Sequence, residues 1–293
     1  MASLGIIFSI IIPTFNRGFL LQRCLDSLLN QTFKEFEVIV CDDGSTDNTK
    51  EIVNSYINIL NIKYLYDSNW GGPAQPRNRG ISIANGTWIC FLDSDDWFFP
   101  TKLEEILNYV NAYDFIYHDL EAYSKHGKKS HVIKSRQLEG NITKDLLLNG
   151  GLPNSSVCIK TELLKNINGF CEDKKLIAVE DLDCWIRIGE ITSKFKYIHK
   201  SLGAYYFGEN FSISNKQNER LETLVIKHLH KLSSRDQKLA IKTLYYNQAQ
   251  TCHRICLFKQ ARSLYLKSFS NYFLIRNLKI VLRYFQTLIG IFF

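Results

Sequence analysis

Asp93, Asp95 and Asp96 put three carboxylates into four positions, directly after the apolar run 88–92. Such a run bounded by turn residues is the pattern of a buried strand. The strand then delivers hard oxygen ligands to its own carboxyl end, where open α/β sheets bind ligands. Carboxylates this close repel one another unless something positive sits among them, and a divalent cation holding a diphosphate would serve. The same residues also suit a solvated acidic turn, since Asp and Ser are ordinary turn and N-cap residues. A second acidic turn, Asp42-Asp43-Gly44-Ser45, closes the apolar run 36–41. It is not an EF-hand, because the spaced acids and the terminal Glu are missing. It reads as a turn plus helix N-cap, or as a carboxylate accepting hydrogen bonds from a base or ribose across the same crevice. No Walker A or GxGxxG occurs, so no glycine-rich nest holds phosphate and a metal must do that work. Arg77 and Arg79 precede the Asp93 strand and could reach a nucleotide, although a solvated helix charge is the simpler reading, above all for Arg79. Glu180-Asp181-Leu182-Asp183 opens a further helical pattern, where acids complement the macrodipole.

The elements that must position these groups alternate. Strands are expected at 6–12, 36–41, 62–66 and 88–92, with another beginning at 115–117; helices at 19–29, 46–56 and 77–84, and another from Pro100. Alternation of this kind implies an α/β protein with a mostly parallel sheet. Residues 67–73 hold too many breakers to be regular. Residues 121–175 are less regular, with a basic loop or hairpin at 125–134, and helical spacing returns near 180–187. Strands end by about 215. An amphipathic helix follows at 221–232, and then a helical hairpin over 245–265.

The 293 residues are 45% hydrophobic, enough for a substantial core, and divide into an expected sheet domain at 1–215 and a basic helical region at 216–293. The run 4–13 lacks a preceding basic residue and a small-residue cleavage site, so it reads as the first strand rather than a signal peptide. Eight scattered cysteines show no zinc spacing, and Cys41 and Cys90 sit inside apolar runs as small core residues, which favours a reducing, cytoplasmic setting. No Asp or Glu occurs after Asp236, while nine Lys and Arg do; against a net charge of +7, the first 236 residues therefore carry −2.

Five stretches, Ser9-Ile10-Ile11-Ile12-Pro13-Thr14-Phe15-Asn16-Arg17, Val40-Cys41-Asp42-Asp43-Gly44-Ser45-Thr46-Asp47, Arg77-Asn78-Arg79-Gly80, Phe91-Leu92-Asp93-Ser94-Asp95-Asp96 and Glu180-Asp181-Leu182-Asp183-Cys184-Trp185-Ile186-Arg187, together resemble the family 2 glycosyltransferases in order and spacing over about 6–215. The resemblance implies a GT-A fold, a nucleotide-sugar donor (a UDP-sugar), a Mn2+ or Mg2+ ion, and inversion at the anomeric carbon. By motif, Thr14 and Phe15 would line the base pocket, Asp43 or Asp42 would bind the uracil, and Arg77 would face the nucleotide. Asp93 would contact ribose or metal-bound water, Asp95 would ligate the metal, and Asp181 would be the catalytic base, with Asp183 its nearest rival. Where members carry a His near the end of the domain, this chain has Glu209, a candidate third metal ligand that adds negative charge.

The apolar stretch 271–293 is interrupted by Arg276, Lys279 and Arg283, which argues against a membrane span. It fits an interfacial helix with a basic stripe, on the inner leaflet where a polyprenyl-linked or other glycan acceptor would lie; a core-packing helix is the alternative. Nothing accompanies the charge that would read nucleic acid. Competing functions are a nucleotidyltransferase that makes nucleotide-sugars, which usually carries a glycine-rich basic loop absent here, and a non-catalytic relative that binds a glycan or partner.

Overall fold

The computed structural model describes residues 5–208, 215–269 and 274–288. In chain order these form β1 (Phe8–Thr14), α1 (Gly18–Leu29), β2 (Phe36–Asp42), α2 (Thr49–Tyr56), β3 (Ile62–Tyr66), α3 (Ala74–Ile83), β4 (Trp88–Phe91), β5 (Trp97–Phe98), α4 (Lys102–Leu107), β6 (Phe115–Ser124), β7 (Lys129–Ile133), α5 (Ile142–Asn149), β8 (Cys158–Lys160), α6 (Thr161–Asn166), α7 (Glu180–Ile188) and β9 (Phe195–Phe207). Four helices follow: α8 (Asn215–Leu229), α9 (Ser234–Arg254), α10 (Phe258–Ser268) and α11 (Leu274–Leu288).

The strand order is β3-β2-β1-β4-β8-β6-β9-β5, with β7 folded back on β6 as a hairpin. β1 pairs in parallel with both β2 and β4, and β2 with β3. The chain therefore steps outward from β1 in one direction and then returns to β1's other side. That reversal is a topological switch point, and the crevice outside the strands' carboxyl ends opens there. The register sets Thr14 beside Asp42. Beyond β4 the sheet is mixed: β8 runs antiparallel to β4 and β6, while β6 and β9 are parallel. β1, β2 and β4 are buried throughout, as the β-branched run Ile10-Ile11-Ile12 requires. α1 closes one side of this core with Leu21, Cys24, Leu25 and Leu28, the spacing of one helical face.

Several helices start elsewhere than the periodicity suggests, among them α8, which spans Asn215–Leu229 rather than 221–232. α2 begins at Thr49 rather than 46, because the Asp47 carboxylate accepts the N–H groups of Gly18 and Thr49 in a turn that precedes it. α3 begins at Ala74, since Pro76 falls in its first turn, where a missing N–H costs nothing. β5, β8 and β9 have no counterpart among the expected strands. The first two span two and three residues, and β9 carries Lys196, His199 and Lys200 among its apolar positions. A further correction concerns Cys90, which is not a free core thiol. The β4–β8 register sets it opposite Cys158, and the two sulfurs are bonded.

The chain forms two compact units: Met1–Glu139, Leu152–Glu172 and Cys184–Asn210 in one, Gly140–Gly151, Asp173–Asp183 and Phe211–Phe293 in the other. A single division at 215 does not describe this, because α5 packs on α9 and the turn Lys174–Leu176 packs on α8. In the second unit α9 and α10 form the expected helical hairpin, and Ala249, Cys252, Ala261, Tyr265 and Ile280 make its core. On α11 the expected basic stripe is broken, because Lys279 alone of its three cations is exposed. Arg276 donates to Thr243 Oγ1 at 2.7 Å, and both Arg276 and Arg283 lie over the Tyr246 ring. Leu278, Val281, Leu282, Phe285 and Leu288 are left exposed. Among the described residues no helix is long and apolar enough to cross a membrane.

Candidate active site

The crevice at the switch point is built from three strand ends. β1 delivers Thr14, which is buried, and its Oγ1 finds no partner among the described residues. Phe15 follows and is 44% exposed. Asn16 then adopts a positive φ of 50°, a conformation Asn tolerates. Its Oδ1 accepts the Thr46 N–H at 2.7 Å, while its own N–H donates to Ser45 Oγ at 2.8 Å, tying the β1 loop to the β2 loop.

Asp42 and Asp43 end β2, and both are buried. Asp42 accepts the Ser45 N–H at 2.8 Å and the Tyr64 hydroxyl at 2.6 Å. Asp43 accepts the N–H groups of Trp70 and Gly71 at 2.9 and 3.1 Å, anchoring the breaker-rich loop 67–73. Gly44 between these segments has φ +86°, and a Cβ there would meet the Asn69 nitrogen at 2.8 Å, so the close approach needs glycine. The two acids thus shape the crevice wall, each with further acceptor capacity, since an ionised carboxylate offers about four lone-pair sites. Arg79 is not a solvated helix charge. Its guanidinium pairs with Asp67 at 2.9 Å and donates to the Asp42 carbonyl at 3.1 Å.

The ledge after β4 separates its three acids by role. Asp93 Oδ1 accepts from Arg77 Nη2 at 2.8 Å and from Asn154 Nδ2 at 3.2 Å, and Arg77 is buried against the face of Phe170. Asp95 forms an ion pair with Arg17, a half-exposed side chain, and its carbonyl accepts from Arg23 at 2.7 Å. Burial raises the Asp95 pKa; the Arg17 charge opposes that rise and the neighbouring Asp93 carboxylate adds to it. Asp96 is fully buried and turned away from solvent. It accepts from Ser155 Oγ and from the Tyr206 N–H of β9 at 2.8 Å. Burial, and then the charges of Asp95 and Asp93, push its carboxyl well above the usual range. Below it Lys102, also wholly buried, donates to the Ser155 carbonyl at 2.8 Å and sits over the Phe98 ring, and burial pulls its pKa well down. Asp96 therefore braces the ledge, while Asp93 and Asp95 face the crevice.

The donor chemistry fits a divalent ion. Two crowded carboxylates, one with a burial-raised pKa, would gain from a cation, and Mg2+ or Mn2+ held by one or two carboxylates takes its other ligands from phosphates and water. Among the described residues no group of three His, Cys, Asp or Glu could hold a metal. Glu209 lies outside the described residues.

Asp181 and Asp183 belong to the second unit, and the seven other described candidates, Thr14, Phe15, Asp42, Asp43, Arg77, Asp93 and Asp95, to the first. Asp181 stands in the first turn of α7, is partly exposed, and accepts the Leu182 N–H at 2.7 Å. Asp183 is fully buried, with His228 Nε2 at 2.8 Å and Lys227 Nζ at 2.7 Å on one oxygen. A carboxylate so enclosed is a poor proton acceptor for an external hydroxyl. The pairing separates the two rivals that the sequence left side by side. Sequence reasoning passed over Arg17, Arg23, Asn154, Ser155 and Lys102. Arg17 stands inside a motif without a role attached, while Asn154-Ser155-Ser156 reads only as a polar turn.

A carboxylate ledge at a switch point marks the ligand crevice of an open α/β sheet, and this sheet with its C-terminal helices matches solved glycosyltransferases of the GT-A fold. Residues 9–161, just over half of the chain, match the model of Glycosyl transferase family 2. The chain belongs to that family. A Rickettsia bellii (strain RML369-C) protein described as an uncharacterized glycosyltransferase is 39% identical over 136 residues, covering 46% of this chain and 20% of the relative. The poly(ribitol-phosphate) beta-N-acetylglucosaminyltransferase TarP of Staphylococcus aureus (strain N315) is 37% identical over 142 residues, 46% of this chain and 42% of that one. The chain thus spans less than half the length of these curated relatives. Among solved structures, S. aureus TarS 1-349 in complex with UDP-GlcNAc matches 96% of this chain and 90% of its own at 21% identity and a TM-score of 0.59. The mannosyltransferase PcManGT from Pyrobaculum calidifontis, in complex with GDP-Man and Mn2+, matches 98% and 85% at 14% identity and a TM-score of 0.65. These likenesses establish the fold.

Proposed function

We propose that this chain transfers a sugar from a UDP-sugar to a hydroxyl of a glycan or lipid-linked acceptor in cell-surface polysaccharide or glycolipid assembly, with inversion and with a bound Mn2+ or Mg2+. The observation that carries the reading is the Asp93–Asp95 ledge at the switch point, flanked by Arg77 and Arg17. The UDP and UDP-GlcNAc complexes of TarS and the Mn2+ complex of PcManGT support the donor and metal classes.

In this reading Thr14 and Phe15 receive the base and Asp43, with Asp42, its polar edge. Arg77 is fixed by Asp93 and offers a buried positive charge to the nucleotide. Asp93 and Asp95 would hold the ion, which supplies Lewis-acid neutralisation of the charge that develops on the departing diphosphate. Asp181 takes the proton from the acceptor hydroxyl as that oxygen attacks the anomeric carbon opposite the leaving group. The bond from that carbon to the diphosphate breaks, and UDP departs. Asp181 is favoured over Asp183 by its exposure, since Asp183 is already enclosed by His228 and Lys227. The exposed apolar face of α11 supports docking on the cytoplasmic face of a membrane.

The test is UDP release from UDP-N-acetylglucosamine and other UDP-sugars, with Mn2+, with EDTA, and in Asp181→Asn. Release that requires the ion and falls at least about 100-fold in the variant is the expected result. Full turnover in EDTA would overturn the metal assignment, and full turnover in Asp181→Asn the base assignment.

A further inference from the structure

The short turn Asn154–Ser156 bears on the ledge from β8's side. Ser155 Oγ accepts the Asp93 N–H at 3.1 Å and donates to Asp96, and Ser156 Oγ donates to the Pro153 carbonyl at 2.7 Å. The turn is therefore locked in place by the same acids it touches. Asn154 is 5% exposed. Its Nδ2 donates to Asp93 Oδ1, and this contact fixes the orientation of the amide, because an ionised carboxylate can only accept. The carboxamide oxygen must then point the other way, still within one functional group of Asp93. That Oδ1 has no hydrogen-bond partner among the described residues. Asp93 Oδ1, on the adjacent carboxylate, accepts from Arg77 as well as from Asn154.

A buried amide oxygen beside that carboxylate calls for a donor. A buried acceptor left without one costs about as much as a lost hydrogen bond. A phosphate cannot meet that need, because it brings only acceptor oxygens. A sugar hydroxyl can. We propose that Asn154 reads a sugar hydroxyl of the donor nucleotide-sugar through Oδ1, beside Asp93, and so helps set which donor is bound. The inference rests on the UDP-sugar reading above. The hydroxyl belongs either to the ribose or to the transferred sugar, and these are separable.

The experiment measures affinities of UDP, 2′-deoxy-UDP, 3′-deoxy-UDP and UDP-N-acetylglucosamine by calorimetry in Mn2+, for the wild type, Asn154→Ala and Asn154→Ser. Thermal unfolding confirms that each variant folds, and Mn2+ affinity is measured separately. The expected result is about a tenfold loss in both variants, the size of a removed buried hydrogen bond. A loss shared by UDP and UDP-N-acetylglucosamine, and absent with one deoxy nucleotide, assigns the hydroxyl to ribose. A loss confined to UDP-N-acetylglucosamine assigns it to the transferred sugar. Affinities unchanged in both folded variants would overturn the proposal, as would losses that merely follow weakened Mn2+ binding. If the wild type binds neither UDP nor a UDP-sugar, the donor reading itself falls, and the role of Asn154 with it.

Discussion

The strand-end crevice and the C-terminal helices both bury arginines against aromatic rings, but they neutralise them differently. Arg77 lies on Phe170 and is met by the Asp93 carboxylate. Arg276 lies on Tyr246, with the Thr243 hydroxyl among its partners, and burial lowers its pKa to about 10. The difference follows from composition, since after Asp236 the chain has no acid to offer. In the sheet region charge is concentrated, paired and aimed at a crevice. In the helical region Arg276 and Arg283 turn onto Tyr246, while Lys238, Arg254, Lys259, Lys267 and Lys279 stay exposed, the last beside the apolar residues on α11.

This contrast can be broken at several points. The largest effect should come from Asp95→Asn, which removes a crevice-facing carboxylate whose protein partner is the half-exposed Arg17. UDP release should fall at least about 100-fold, as loss of several kcal/mol of charge stabilisation implies, while the melting temperature barely moves. Asp183→Ala should do the reverse in the helical unit. It leaves buried His228 and the Lys227 ammonium without their carboxylate, for about 3 kcal/mol or more of lost stability by urea unfolding. An Asp183 variant that stays fully stable yet loses activity would instead make Asp183 the base.

Acid should weaken the sheet unit. Burial works against the charge of Glu37, but hydrogen bonds from Lys63, Ser9 and Asn85 outweigh it and hold its pKa below the usual value. Asp47 and Asp114 are lowered in the same manner, by Thr49 and Gly18 and by Lys160 and Thr192, against the pull of burial. For groups depressed on folding, the stabilisation is complete above the unfolded pKa near 4 and is lost as pH falls through the folded value. Unfolding midpoints should thus be flat from pH 7 to about 5 with respect to these groups and drop below about 4. The smallest effect on stability, within about 0.5 kcal/mol, should follow Phe285→Ser on the exposed face of α11. Association with anionic phospholipid vesicles should nevertheless drop, and unchanged sedimentation with vesicles would remove the membrane reading.

Much of the crevice was legible in the residues themselves. Runs such as Ile10-Ile11-Ile12 and Val38-Ile39-Val40 can hardly be anything but buried strands, and breakers and acids mark where they end. The alternation of those runs with helical spacing is enough to expect a mostly parallel sheet, though not the order of its strands. β9 was hidden, because a strand whose faces meet different neighbours along its length shows no period of two; it pairs with β6 along most of its length and with β5 near its end. The roles of the three ledge acids were equally hidden. Asp93, Asp95 and Asp96 are chemically alike in sequence, and only the packing of Ser155, Lys102 and the β9 backbone around Asp96 tells brace from ligand candidate.

The sequence by itself determined the strand-end acids, the alternation of strand and helix and the acid-free tail, because these are properties of local composition and period. Tertiary structure decided which acids are already satisfied, which arginines turn inward and where Asn154 points. Those outcomes depend on neighbours distant along the chain, such as Asp96 with Tyr206, Asp183 with His228 and Asn154 with Asp93, and burial makes each pairing matter by removing the water that would otherwise serve.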